Sequence, residues 1–139
     1  MIRDILSPAL KAKYGGSFEV GYASEFIALF PDRHVKVGRL MVYEDKEYLT
    51  FVIENVAHDH VYFDPNEDQE KIDHKVTAQA MAFLDDLFSH RVLMELAKDL
   101  MGTSMMVLNC GEPKDFMQPG FDYFLWSGPI GDETENSQK

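Results

Sequence analysis

The sequence predicts an α+β fold: an antiparallel sheet of about five or six strands with a long, kinked or broken helical segment (about 67–101) packed on one face. Three observations carry this expectation. Residues 18–63 are rich in Val, Tyr, Phe and Ile; residues 67–101 space their apolar side chains at helical intervals; residues 104–109 and 121–126 return to strand-like runs. At 139 residues the chain has the length of one domain, expected over 1–130, with the polar stretch 131–139 (GDETENSQK) read as a disordered acidic tail. Ten Phe, six Tyr and one Trp within a 45% hydrophobic composition supply a core.

Residues 2–13 form an amphipathic helix that Pro8 is expected to close or restart near Ser7, because proline contributes no N–H to the helical ladder. Gly15-Gly16 then breaks the chain. Val35, Val37, Met41 and Tyr43 share one strand parity, interrupted by Arg39. After the polar Glu44-Asp45-Lys46-Glu47, the run YLTFVI places Leu49, Phe51 and Ile53 on one face and Tyr48, Thr50 and Val52 on the other. Two apolar runs joined by four polar residues read as an antiparallel hairpin. With both faces apolar, the strand 48–53 reads as central and covered on both sides.

Asp64-Pro65-Asn66 ends the strand region, and Asn66 followed by Gln69 fits a capping box at a helix start. Ile72, Val76, Ala80, Phe83 and Leu87 then share one helical face. Beyond Ser89 the apolar face, now Leu93, Leu96 and Leu100, has rotated by more than about a quarter turn at 100° per residue. The helical segment should therefore break between Phe88 and Val92, with a second helix following as far as Gly102.

Charge is placed unevenly. Residues 44–73 carry ten carboxylates against Lys46 and Lys71, which is −8 of the net −11, whereas residues 1–43 are net +2. Such a surface repels nucleic acid and anionic membrane and attracts basic surfaces over about one Debye length. The expected partner is a basic protein, met by Glu44, Asp45, Glu47, Glu67, Asp68 and Glu70. Part of the acid also has a structural use, since Glu67, Asp68 and Glu70 favour the start of a helix through its dipole.

Other constellations are sparse. On a strand His58 and His60 point to one side and could share a metal, with Asp64 four residues on as an oxygen ligand. The His-x-His spacing resembles that of metal-binding barrels of the cupin type, but no second histidine motif framed by glycine occurs downstream, and no family is assigned. Cys110, the single cysteine, excludes an internal disulfide and reads as a small core residue at a strand end. No phosphate-binding glycine loop and no Gly-x-Ser-x-Gly occurs. No cofactor is called for, and no stretch reaches 18 apolar residues. The expectation is a non-enzymatic cytoplasmic protein that binds or inhibits a basic partner, similar in size and charge to small acidic inhibitors of the immunity-protein or anti-restriction kind. The alternative is a small enzyme or ligand-binding domain with a pocket between sheet and helix rimmed by Tyr62 and Trp126 beside His58 and His60. A homo-oligomer is the third reading.

Overall fold

The computed structural model describes residues 2–21, 26–97, 102–108 and 111–130. Cys110 and the acidic tail lie outside them. The described chain runs α1 (Ile2–Tyr14), β1 (Glu19–Val20), β2 (Ala28–Phe30), β3 (Leu40–Glu44), β4 (Tyr48–Ile53), β5 (Ala57–Tyr62), α2 (Gln69–Phe88), β6 (Val92–Ala97), β7 (Thr103–Val107), a 3-10 turn (Pro113–Phe116), β8 (Phe121–Leu125) and β9 (Gly128–Ile130). The α+β class, the antiparallel pairing and the long helix are as the sequence predicts. The strands divide, however, between a five-stranded sheet, β1-β2-β3-β4-β5, and a four-stranded sheet, β7-β6-β8-β9.

The hairpin of β3 and β4 turns at the four polar residues, with Leu40 opposite Ile53 and Glu44 opposite Leu49. Alternation then sets the architecture. Leu40, Val42, Leu49, Phe51 and Ile53 point to one face and are buried together with Ile2, Leu6 and Leu10 of α1 and Ile72, Val76, Ala80, Leu84 and Leu87 of α2. Phe51 meets Phe83 of α2 with ring centroids 4.7 Å apart. Strand β4 is an inner strand, between β3 and the edge strand β5, and contrary to the expectation of cover on both sides only this face is covered by the helices. Tyr48, Thr50 and Val52 on the other face are half-buried by their own neighbours.

Helix α1 runs through Pro8 instead of closing there. One missing N–H is outweighed because Ile2, Leu6 and Leu10 lie on one stripe and are fully buried on both sides of the proline. At the other helix the capping box does not form. Asp64 takes the backbone N–H of Asn66 at 2.9 Å in a local turn, Asp68 occupies the N-cap without a side-chain bond, and Gln69 instead donates to Asp73 at 2.7 Å.

The helical segment breaks where the rotating apolar face places the break. Helix α2 ends at Phe88; the N–H of His90 reaches the carbonyl of Leu87 and the N–H of Arg91 that of Asp86, at 3.2 and 2.7 Å. These two bonds with His90 at φ 64° make a Schellman ending built on histidine instead of glycine. Of the second helix expected beyond the break, residues 98–101 lie outside the described ones, and among the described residues it is replaced by strand β6, which covers Val92–Ala97. Its period changes from 3.6 to 2, with Val92 and Met94 in the main core and Leu93 in a smaller one with Leu108 and Tyr123, against which Phe116 and Met117 of the 3-10 segment pack. Val92, Leu93 and Met94 are buried in succession, so the start of VLMELA lacks polar alternation and imitates a helix.

A polar clamp fixes the loop from Val35 to Arg39 against the turn after β4. Arg39 donates from Nε and a terminal nitrogen to the two carboxylate oxygens of Glu54, each at 2.9 Å, while the backbone N–H of Asn55 bonds the carbonyl of Val37. Hydrogen bonds from the side chain and then the backbone of Arg39 hold the Glu54 carboxyl down at about 2, against the opposing effect of burial. A depressed folded-state value stabilises above the ordinary carboxylate range, and that contribution is lost as pH falls from about 4.5 toward 2. Urea unfolding of wild type and Glu54→Gln should therefore show a small stability gap at pH 7 that closes as pH falls through this window; a gap independent of pH would contradict the clamp.

Candidate functional site: an acidic groove beside an open sheet face

The hairpin tip and the start of α2 lie side by side because β5 runs back antiparallel to β4 and delivers the chain next to the tip. Phe63 donates its backbone N–H to the carbonyl of Glu47 at 3.1 Å, one step past the Tyr48–Tyr62 pair. Between them is a groove of about 540 Å³ lined by Glu44, Asp45, Lys46, Phe63, Pro65 and Gln69. Residues 44–47 and 64–70, which border it, carry seven carboxylates against Lys46. Two acidic runs separated by the length of a hairpin thus come side by side, and Glu44 and Asp45 of the first line the groove together with Phe63, Pro65 and Gln69 on the side of the second.

The acids differ in what they already do. Glu44 accepts the backbone N–H of Arg3 at 3.1 Å, so its charge caps the first turn of α1, where the helix dipole favours an anion. The same arginine reaches the carbonyl of Gly21 at 2.7 Å and ties the helix to the sheet edge. Asp45 accepts the N–H of Lys46 at 2.6 Å. Glu47, Glu67, Asp68 and Glu70 make no ion pair among the described residues and are exposed. Of the six acids that the sequence nominates for a partner, Glu44 lines the groove and is a structural cap as well, Asp45 lines the groove, and Glu47, Glu67, Asp68 and Glu70 are exposed without lining it.

Next to the tip lies the outer face of the five-stranded sheet. Its register gives three rows: Leu29, Met41, Val52 and His58; Tyr43, Thr50 and His60; Tyr48 and Tyr62. Four rings cluster at the β5 side. The centroids of Tyr48 and His60 are 4.5 Å apart, those of His58 and His60 5.3 Å, and those of Tyr48 and Tyr62 5.5 Å. Tyr62 is 69% exposed. The charge of Asp45, followed by desolvation and a hydrogen bond with the same carboxylate, pushes the Tyr48 hydroxyl above its ordinary value. Among the described residues both α-helices pack on the inner face; on this outer surface Tyr62 and His58 are exposed, Tyr48 and His60 half-buried, and Thr103 of β7 lies beside Val52 and His58.

The metal candidates are partly assembled. His58 and His60 do share one side of β5, and the Nδ1 of His60 lies 2.8 Å from Thr50 Oγ1, which orients its ring. Asp64, bonded to the N–H of Asn66, does not complete a third position with them. Among the described residues no three His, Cys, Asp or Glu side chains group closely enough to hold an ion. Trp126, nominated with Tyr62 as a pocket rim, lies in another part of the molecule, 4% exposed and 5.6 Å from Phe88. Among the described residues no helix is long and apolar enough to cross a membrane. No protein-family model matches this chain, and neither a curated protein nor a solved structure shows significant similarity to it.

Two imidazoles without a third ligand bind divalent ions weakly. Zinc or nickel in slight excess should leave the melting temperature unchanged, since linkage stabilises by RT ln(1 + [L]/Kd). A rise of several degrees that disappears in His60→Ala would reveal a complete site.

Proposed function

We propose that this protein is a non-enzymatic binding module that takes a basic segment of a partner protein into the acidic groove, with the open sheet face as the adjoining contact surface. The observation that carries this reading is that the hairpin tip and the acidic 64–70 segment lie side by side at a groove in which Glu44 and Asp45 stand beside Phe63 and Pro65. Charge alone would steer any cation; apolar side chains beside the charge favour lysine and arginine, whose long stems cover apolar surface while their heads reach carboxylates. The rings of Tyr48 and Tyr62 offer faces on which a guanidinium can lie beside the Asp45 carboxylate. A cytoplasmic inhibitor of a basic enzyme or toxin is the kind of role that this size and charge suit.

Electrostatic steering acts on the rate of association and is screened by salt, whereas exposed charges contribute little to folding. The double reversal Asp45→Lys with Glu47→Lys, and separately Glu67→Lys with Glu70→Lys, should each slow association with the basic partner by on the order of tenfold at low salt while the melting temperature changes little. Pull-downs from lysate at low and moderate salt, followed by association kinetics on the captured protein, read this out. If the reversed variants capture the same partners with the same salt dependence, the acids serve only solubility and helix initiation.

A further inference from the structure

At the far end of α2 the molecule has a second, chemically different cavity. Tyr14 closes α1, Phe88 closes α2, Phe30 ends β2 and Trp126 follows β8, and these four rings with Ser17, Pro31 and Arg33 line a pocket of about 350 Å³. The rings touch edge-on or tilted. Tyr14 stands at 88° to Phe30 and 84° to Phe88, with centroids 5.7 and 5.1 Å apart, and Phe30 and Phe88 are 5.0 Å apart. That volume lies at the lower end of the small-ligand range of roughly 300–1,000 Å³ and suits a molecule of one or two rings.

The Tyr14 hydroxyl is closed off from solvent, without a hydrogen-bond partner among the described residues, and is not offered to the cavity; burial, reinforced by Asp85, pushes it up to about 12. Arg33 has no carboxylate partner among the described residues, in contrast to Arg39 on Glu54, Arg91 on Asp86 and Lys13 on Asp85. A guanidinium is charged at every relevant pH and presents a fork of donors matched to a carboxylate.

We propose that this cavity binds a small aromatic carboxylate, its ring packed on the surface that Tyr14, Phe30, Phe88 and Trp126 form together and its acid group at the rim on Arg33. The helix ends fix the orientation. Both α1 and α2 end here, and the partial negative charge of helix C-termini disfavours an anion in the depth of the pocket. The ring therefore goes in and the acid stays at the mouth. This proposal is independent of the acidic groove, which lies at the start of α2, about 30 Å away at 1.5 Å per helical residue.

The test uses the lone tryptophan, Trp126, as reporter. The full chain is titrated with 3-phenylpropionate, with the neutral 3-phenylpropanamide and with the cationic 3-phenylpropylammonium, following tryptophan fluorescence and melting temperature. The acid should give a saturable change and bind roughly tenfold or more tightly than either analogue. Arg33→Gln, at an exposed position, should bring the acid to the affinity of the amide without moving the amide or the melting temperature. Ser17→Phe, which fills the cavity, should weaken acid and amide together, with circular dichroism confirming the fold. Equal binding of all three probes, an acid affinity unaffected by Arg33→Gln, unchanged binding in Ser17→Phe, or no saturable signal would each overturn the proposal.

Discussion

Everything else in this structure depends on the burial of one face of the β3–β4 hairpin beneath two helices. Leu40, Val42, Leu49, Phe51 and Ile53 alternate with half-buried neighbours, and a slip of one residue would exchange the two sets. Each fully buried aliphatic or aromatic side chain is worth roughly 1.5–3 kcal/mol, so the facing stripes of the hairpin, α1 and α2 supply the main favourable free energy, most of which chain entropy offsets. The helices complete one another: α1 is too short to persist alone and is held by its buried stripe, by Glu44 at its first turn and by Arg3 on the sheet edge.

Using one face for the core leaves the other face and both ends of α2 to solvent. At the helix start, the acidic tip and the 64–70 segment border a groove lined by Glu44, Asp45, Phe63 and Pro65. At the helix end, four packed aromatic side chains from distant parts of the chain line a cavity together with Arg33. The length of α2 keeps these environments apart by more than a Debye length of about 10 Å, so the proposed basic partner and the proposed carboxylate would meet separate fields.

The hairpin was legible because four polar residues separate two runs of period 2, and the end of α2 was legible because its apolar stripe 72–87 does not continue past Ser89. The strand after it was not: Val92, Leu93 and Met94 are buried in succession, and Leu93, Leu96 and Leu100 repeat at intervals that fit a helix equally well. Pro8 misled because a rule about backbone bonding was set against a buried stripe whose tertiary partners the sequence does not display. Of the candidate site, the acids and the His58-x-His60 pair were plain in one dimension, but their meeting beside Phe63, Pro65 and Tyr48 depends on β5 returning along β4. The aromatic cavity left no local trace, since residues 14, 30, 88 and 126 belong to four different segments and each reads alone as ordinary core.

On the proposed reading, the acid before β4 and after β5 acts as one recognition surface. Amide chemical-shift mapping of the labelled protein with an unstructured lysine- and arginine-rich peptide reads this out residue by residue. The expected result is a set of saturable shifts confined to residues 44–48 and 62–70, with neighbours on the outer face of β4 and β5, that fade as salt is raised. Shifts spread evenly over all acidic positions, or centred on Asp85 and Asp86 at the other end of α2, would contradict it.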